Sequence, residues 1–289
     1  MPGATTHLRL FIGESADDLP APSRPGRPMS DSSPETADRL YTREAFRSPP
    51  ARRGAAEPYS RAWFDQIADQ RYGRHGYWLP KGLEFRRHAG ETVLGLGEGL
   101  GTDWLEYARH GSHVLACSPS QEQLALVRRN FELHDLPGRF LHAAPQALPV
   151  DENSIDVVCL TGLLHEVEDP AAVVAEVYRV LRPGGKVIAV VPARYSASFW
   201  FDTCYPWRRW LRSTPSDAGR RAHTARSLRR TFAAFAEHKV AKRHLRRLHL
   251  PHLWRFLPLP LMERLCGQYL LLRAFKPLRA ALDEAAKAA

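Results

Sequence analysis

Three glycines at alternate positions, Gly97, Gly99 and Gly101, form the stretch Gly97-Glu98-Gly99-Leu100-Gly101 directly after the apolar run Val93 to Leu96. Glycine lets a backbone turn tightly and lets a ligand approach its N–H groups; at a helix start those donors also carry the positive end of the helix dipole. The loop therefore reads as one wall of a small-molecule crevice, with Thr102 as the expected N-cap of the next helix and Asp103 in its first turn. Alone, such a loop is more simply a turn that packs a strand against a helix. Its place at the first strand–helix junction of an alternating chain favours the crevice. The spacing also separates two cofactor classes, because a dinucleotide fingerprint needs a glycine three residues after Gly99 and Thr102 stands there.

His165 follows the fourth apolar strand, at the edge where substrates sit in open α/β sheets, and is the catalytic candidate as a general base. A hydrogen-bonded packing histidine is the competing role. Glu166 and Tyr195 lie near the same rim, whereas Asp65 and Tyr72 read as surface groups. Cys117, Cys159, Cys204 and Cys266 lie far apart, with no Cys-x-x-Cys pair and no zinc spacing, so no metal site is expected and a reduced, cytoplasmic setting fits.

These residues need a frame. From Val93 short apolar strands alternate with helical segments: Val93 to Leu96, a helix after Thr102, Val114 to Ala116, a helix from Ser120, Phe140 to Ala143, then Ile155 to Leu160 and Val187 to Val191. The helix between the last two carries Val173, Val174, Val177, Tyr178 and Leu181 on one face. Such alternation predicts an α/β fold with a doubly wound, mostly parallel, Rossmann-like sheet. Ser120 and Gln123 make an expected capping box, and Arg182-Pro183-Gly184-Gly185 stops the later helix.

With these segments in place, the loop resembles motif I of class I S-adenosylmethionine-dependent methyltransferases. Ala147-Leu148-Pro149-Val150 to Asp156-Val157-Val158, Leu164-His165-Glu166-Val167 with Asp169-Pro170, and Val180-Leu181-Arg182-Pro183-Gly184-Gly185 are similar, in order and spacing, to the ubiquinone and menaquinone C-methyltransferase subfamily. The resemblance implies S-adenosylmethionine as cofactor, a small-molecule methyl acceptor, and cofactor contacts from Gly97, Glu98, Gly99, Gly101, Asp103, Ser118, Pro119, Ala144 and Leu160. The family's three cofactor-binding carboxylates are replaced: Gly95 ends the first strand, Ser118 stands at the ribose position and Ala144 at the adenine position. Two readings follow, an enzyme that compensates with other contacts and a catalytically silent binding module on the same fold.

The flanks differ in composition. Residues 1–57 are rich in Pro, Ser, Gly and Arg without periodicity and read as a disordered arm; residues 58–200 form the methyltransferase-like domain, opened by a helix around Trp63, Phe64, Ile67 and Ala68. Of the net charge of +10, residues 201–289 supply 19 basic against 6 acidic side chains. This basic stretch is expected as a helical extension or cap, with Leu261, Leu265 and Leu272 on one helical face. Its plain reading is a solvated basic face. Peripheral contact with an anionic membrane, or a lipophilic substrate, suits it better than nucleic acid, and a nucleic-acid methyltransferase is the weakest of the readings.

Overall fold

The computed structural model describes residues 56–97, 99–204, 222–245, 250, 254 and 256–278. The expected N-terminal arm lies almost wholly outside them, as do Glu98 and much of the basic stretch.

The chain order is α1 (Arg61–Gln70), a π-helical turn (Arg71–His75), α2 (Leu79–Leu83), a 3-10 turn (Phe85–Arg87), β1 (Thr92–Gly97), α3 (Thr102–Arg109), β2 (His113–Ser118), α4 (Gln121–Leu133), β3 (Arg139–His142) and β4 (Ile155–Thr161). It continues with α5 (Pro170–Val180), β5 (Leu181–Pro192), α6 (Ala197–Cys204), α7 (Ala225–Thr231), β6 (Ala236–Arg243), α8 (Leu259–Cys266) and β7 (Tyr269–Phe275). One sheet of seven strands has the order β3-β2-β1-β4-β5-β7-β6. The pairs among β3, β2, β1, β4 and β5 are parallel, and β7 runs antiparallel to both β5 and β6. The order reverses between β1 and β4, so the loops after these strands open a crevice at their carboxyl ends.

The central strands are buried on both faces and accordingly read as near-continuous apolar runs. One layer packs Leu94, Leu96, Leu115, Val158 and Leu160 against α5 and α7, and the other packs Val93, Ala116, Val157 and Ile188 against α2, α3 and α4. Helix α5 starts at Pro170 with Asp169 as its cap, the carboxylate accepting from the N–H groups of Ala171 and Ala172. It ends at Val180, and Leu181 is already extended and paired with Ile155. Arg182-Pro183-Gly184-Gly185 then bulges out before Lys186 resumes the ladder opposite Val157.

Leu181, expected on the helical face with Val173, Val174, Val177 and Tyr178, instead opens β5, and two further expectations need correction. The C-terminal stretch, expected as a helical extension, also supplies β6 and β7, so the sheet continues past residue 200. Leu272 does not share a helical face with Leu261 and Leu265: Gly267 ends α8, and Leu272 is a buried residue of β7 paired with Ala189.

Candidate functional site

The site is built around the exit of β1. Gly97 runs so close to β4 that an added Cβ would lie 1.9 Å from the Thr161 carbonyl oxygen. Gly99 and Gly101 then turn with φ of +111° and +69°, a region that residues with a Cβ rarely occupy. Gly101 is the cap of α3, and Thr102, expected there, is the first helical residue.

Ser120 caps α4 by accepting from the Gln123 N–H at 3.2 Å, but only half of the expected box forms. The Gln123 side chain turns to the glycine loop instead. Its Nε2 donates to the carbonyls of Gly97 (3.0 Å) and Gly99 (2.9 Å), and its Oε1 accepts from the Ser118 hydroxyl at 2.6 Å. That hydroxyl accepts in turn from the Ser120 N–H at 3.1 Å. Two turns along the same helix, Asn130 Nδ2 donates to the Leu100 carbonyl at 3.0 Å. Two carboxamides on one face of α4 thus fix three loop carbonyls. The sequence signal was there: Gln123 and Asn130, seven residues apart, interrupt a face otherwise made by Leu124, Val127 and Phe131.

Asp103 is buried, and both of its oxygens are engaged. Oδ1 accepts from Arg71 Nε (2.8 Å) and the Tyr72 hydroxyl (2.9 Å), and Oδ2 pairs with Arg71 Nη2. Arg71 and Tyr72 lie in the π-helical turn after α1, so this pair joins the leading helix to the glycine-loop helix. Tyr72 is therefore half-buried and bonded, not a surface group. Burial first, and then the Asp103 charge, push its phenol well above the ordinary value of about 10, which keeps it a donor. Asp65 likewise is not idle: its Oδ1 lies 2.9 Å from His134 Nε2.

Gly95, where the resemblance implies a carboxylate, faces Trp104 on α3. A Cβ there would lie 2.6 Å from the indole ring, so the space an acidic side chain needs is taken.

The remaining predicted residues scatter around this edge. Ser118 ends β2 and is buried. Pro119 is exposed, and its carbonyl lies 2.9 Å from His142 Nε2. Ala144 is exposed just beyond β3, whereas Leu160 is packed in the core one residue before the strand end. His165 is buried in the loop after β4, with Nε2 3.3 Å from Glu166 Oε1. Glu98 lies outside the described residues. Burial pushes the Cys117 thiol up to about 11 and the Cys159 thiol higher still, so neither is poised as a thiolate. Among the described residues no group of three His, Cys, Asp or Glu side chains could hold a metal.

A family model described as a methyltransferase domain matches residues 93–189, from the first strand of this site to the middle of β5. This match, confined to residues 93–189, supports the resemblance to the class I S-adenosylmethionine-dependent methyltransferases. A demethylmenaquinone methyltransferase of Clavibacter sepedonicus is 37% identical over 100 residues, 35% of this chain and 40% of that protein. An uncharacterised methyltransferase of Mycobacterium bovis is 35% identical over 113 residues, 39% of this chain and 44% of that protein. The chain thus matches less than half the length of either relative. A solved structure from Bacillus halodurans, assigned to the methyltransferases, superposes with a TM-score of 0.51 at 20% identity, covering 70% of this chain and all of that one.

The cofactor implied by this methyltransferase domain fits the residues present. The glycine loop offers a turned backbone fixed from behind by Gln123 and Asn130, and at the end of β2, where the family has a carboxylate, the donors of Ser118 and Gln123 are already engaged and only a lone pair on each side-chain oxygen is left to accept from a ligand. The exchange leaves neutral hydrogen bonds, worth about 0.5–1.5 kcal/mol each, in place of charged ones of about 1.5–3 kcal/mol.

Proposed function

We propose that this chain transfers a methyl group from S-adenosylmethionine to a small, lipophilic acceptor. The observation that carries the reading is the glycine loop held at the switch point of the sheet by side chains of α4. Energy is invested there in fixing backbone around a ligand-sized turn. When bound, S-adenosylmethionine supplies an electrophilic methyl group on sulfur. The chain's own task is then mostly alignment and exclusion of water, which alone contributes several kcal/mol to such a transfer, about 7–11 in well-oriented cases. Gly97, Gly99, Gly101, Ser118 and Gln123 would hold the cofactor. His165, backed by Glu166, is the group we assign to take up the acceptor's proton.

Lipophilicity of the acceptor is supported by Tyr195 and Phe199, exposed aromatic residues just beyond the carboxyl end of β5, and by the demethylmenaquinone methyltransferase named among the relatives. Calorimetry with S-adenosylmethionine and S-adenosylhomocysteine tests the reading, with Gly97→Arg as control. Micromolar binding lost in the control is the expected result; no binding at millimolar cofactor would sink it.

A silent binding module is the second reading, favoured by the engaged Ser118 hydroxyl and the indole against Gly95. Ser118→Asp with Ala144→Asp separates the two. A silent but intact crevice gains cofactor affinity from the restored carboxylates, whereas an enzyme already compensated by Gln123 gains little.

A further inference from the structure

We propose that the surface formed by Tyr195, Phe199, Phe256, Leu257 and the outer face of α8 is a docking surface for an anionic phospholipid bilayer. Its apolar side chains stand open to solvent. Phe256 is 88% exposed, Leu261 50% and Leu265 53%, and Leu257, Tyr195 and Phe199 are each exposed as well. Leu261 and Leu265 are four residues apart and stand on one side of α8, and Phe256 and Leu257 lead directly into that helix. Tyr195 and Phe199 stack edge to face with ring centroids 5.2 Å apart. Lys242 joins the two halves, because its ammonium donates to the carbonyl of Tyr195 (2.8 Å) and to that of Leu265 (2.5 Å). Single exposed apolar side chains are ordinary on soluble proteins, but a contiguous set of aromatic and leucine residues marks a binding surface.

The charges around this surface select the occupant. Arg194 stacks on Tyr195 with its guanidinium carbon 6.0 Å from the ring, Arg264 is exposed between Leu261 and Leu265, and Lys242 and Arg243 lie on the adjoining strand. Against these four cations stands Glu263, whose carboxylate is drawn to Arg243 and to the His244 N–H. A second copy of the chain would bring the same positive set against itself. Nucleic acid would leave the leucines and Phe256 in water. Lipid phosphates with acyl chains below them match both components at once, basic groups at headgroup level and apolar groups beneath. The surface begins at the carboxyl end of β5, the sheet edge that also carries the glycine loop, so a docked chain would face the membrane with its acceptor side. The proposal does not depend on methyl transfer.

Co-sedimentation of the full chain with vesicles of phosphatidylcholine, alone or mixed with phosphatidylglycerol, tests it. Binding to the mixed vesicles is expected to exceed that to the neutral ones by about tenfold or more, and to weaken with salt. The triple variant Phe256→Ser, Leu261→Ser, Leu265→Ser is expected to lose about tenfold or more, and Arg264→Gln a few-fold. Mixed vesicles carrying brominated acyl chains should quench the tryptophan fluorescence of the unsubstituted chain, an arm that needs no variant to fold. No sedimentation, absent quenching, or binding that the triple variant retains would each overturn the proposal. So would a dimer in light scattering that the triple variant abolishes, which would assign the surface to a second copy.

Discussion

The glycine-loop edge and the rim beyond β5 lie at the same end of the parallel strands and are built in opposite ways. At the loop, polar side chains are buried and spent on backbone: Gln123 and Asn130 on three carbonyls, Ser118 on Gln123, and Arg71 and Tyr72 on Asp103. At the rim, apolar side chains stand in water around a lysine that holds two carbonyls. A buried polar network costs a great deal to leave half-satisfied, and so it specifies one geometry. An exposed apolar surface costs little to rearrange and accepts partners by area. The contrast suits the proposed function, in which one ligand is fixed by position and the other admitted by hydrophobicity.

The comparison breaks first, and hardest, at Gly97. Gly97→Ala places a methyl group against the Thr161 carbonyl, closer than any real contact. The strand pair must part to admit it, at about 3 kcal/mol or more. A urea titration should show that loss together with loss of cofactor binding. Unchanged stability would mean that the loop is not held against β4.

Next comes the Arg71–Asp103 pair. Arg71→Met leaves a buried carboxylate without its cation, expected to cost about 3–5 kcal/mol, whereas Arg71→Met with Asp103→Leu should recover much of this because both charges are gone. A double-mutant cycle by urea unfolding measures the coupling. A cost below about 1 kcal/mol for the single change would place the pair effectively in water.

A second clamp on the leading segment supplies a pH test. Glu84, buried in the left-handed conformation at the end of α2, receives Lys186 and, at 3.0 Å, Arg273 Nη1, with Arg87 at 3.4 Å. Burial alone would raise its carboxyl, but the hydrogen bond and charge of Lys186, followed by the charges of Arg273 and Arg87, outweigh burial and hold it below the ordinary value. A depressed folded value means stability that is fully present above the unfolded value, about 4.3, and is lost as pH falls through the folded one. Glu84→Gln should therefore cost about 2 kcal/mol at neutral pH. Its urea midpoint should converge on that of the unsubstituted chain as the pH drops below about 4. Parallel profiles would remove Glu84 from the acid response.

The two regions also differed in how far they could be read beforehand. β1 to β5 and the glycine loop were legible because buried parallel strands are continuous apolar runs punctuated by glycine and by caps. β6 was not: Ala236–Arg243 is an edge strand carrying Lys239, Lys242 and Arg243, the charges that protect an edge and hide its period. β7 reads as part of a helical face because its leucines follow those of α8, and Gly267 between them is the signal that separates the two. Arg71 and Asp103 are 32 residues apart, and no local pattern joins them. Gln123 reads locally as a capping residue, and only the folded loop offers it three better partners.

The smallest expected effect tests the rim directly. Leu261→Ser with Leu265→Ser removes two half-exposed leucines from α8, whose buried side is carried by Met262 and Cys266. Packing around those two, with Ala197, Leu245 and Leu250, is untouched by the change. Surface substitutions away from caps, cores and networks stay within about 0.5 kcal/mol, and half-burial raises that to about 1 kcal/mol for each leucine. A thermal melt should therefore shift by only a few degrees, about 2–4 °C for each leucine in a domain of this size. A loss as large as that at Gly97 would show the leucines to be core of a packed cap and erase the difference between the two regions. A near-neutral result would leave two exposed leucines without a part in folding, as a surface kept for a partner requires.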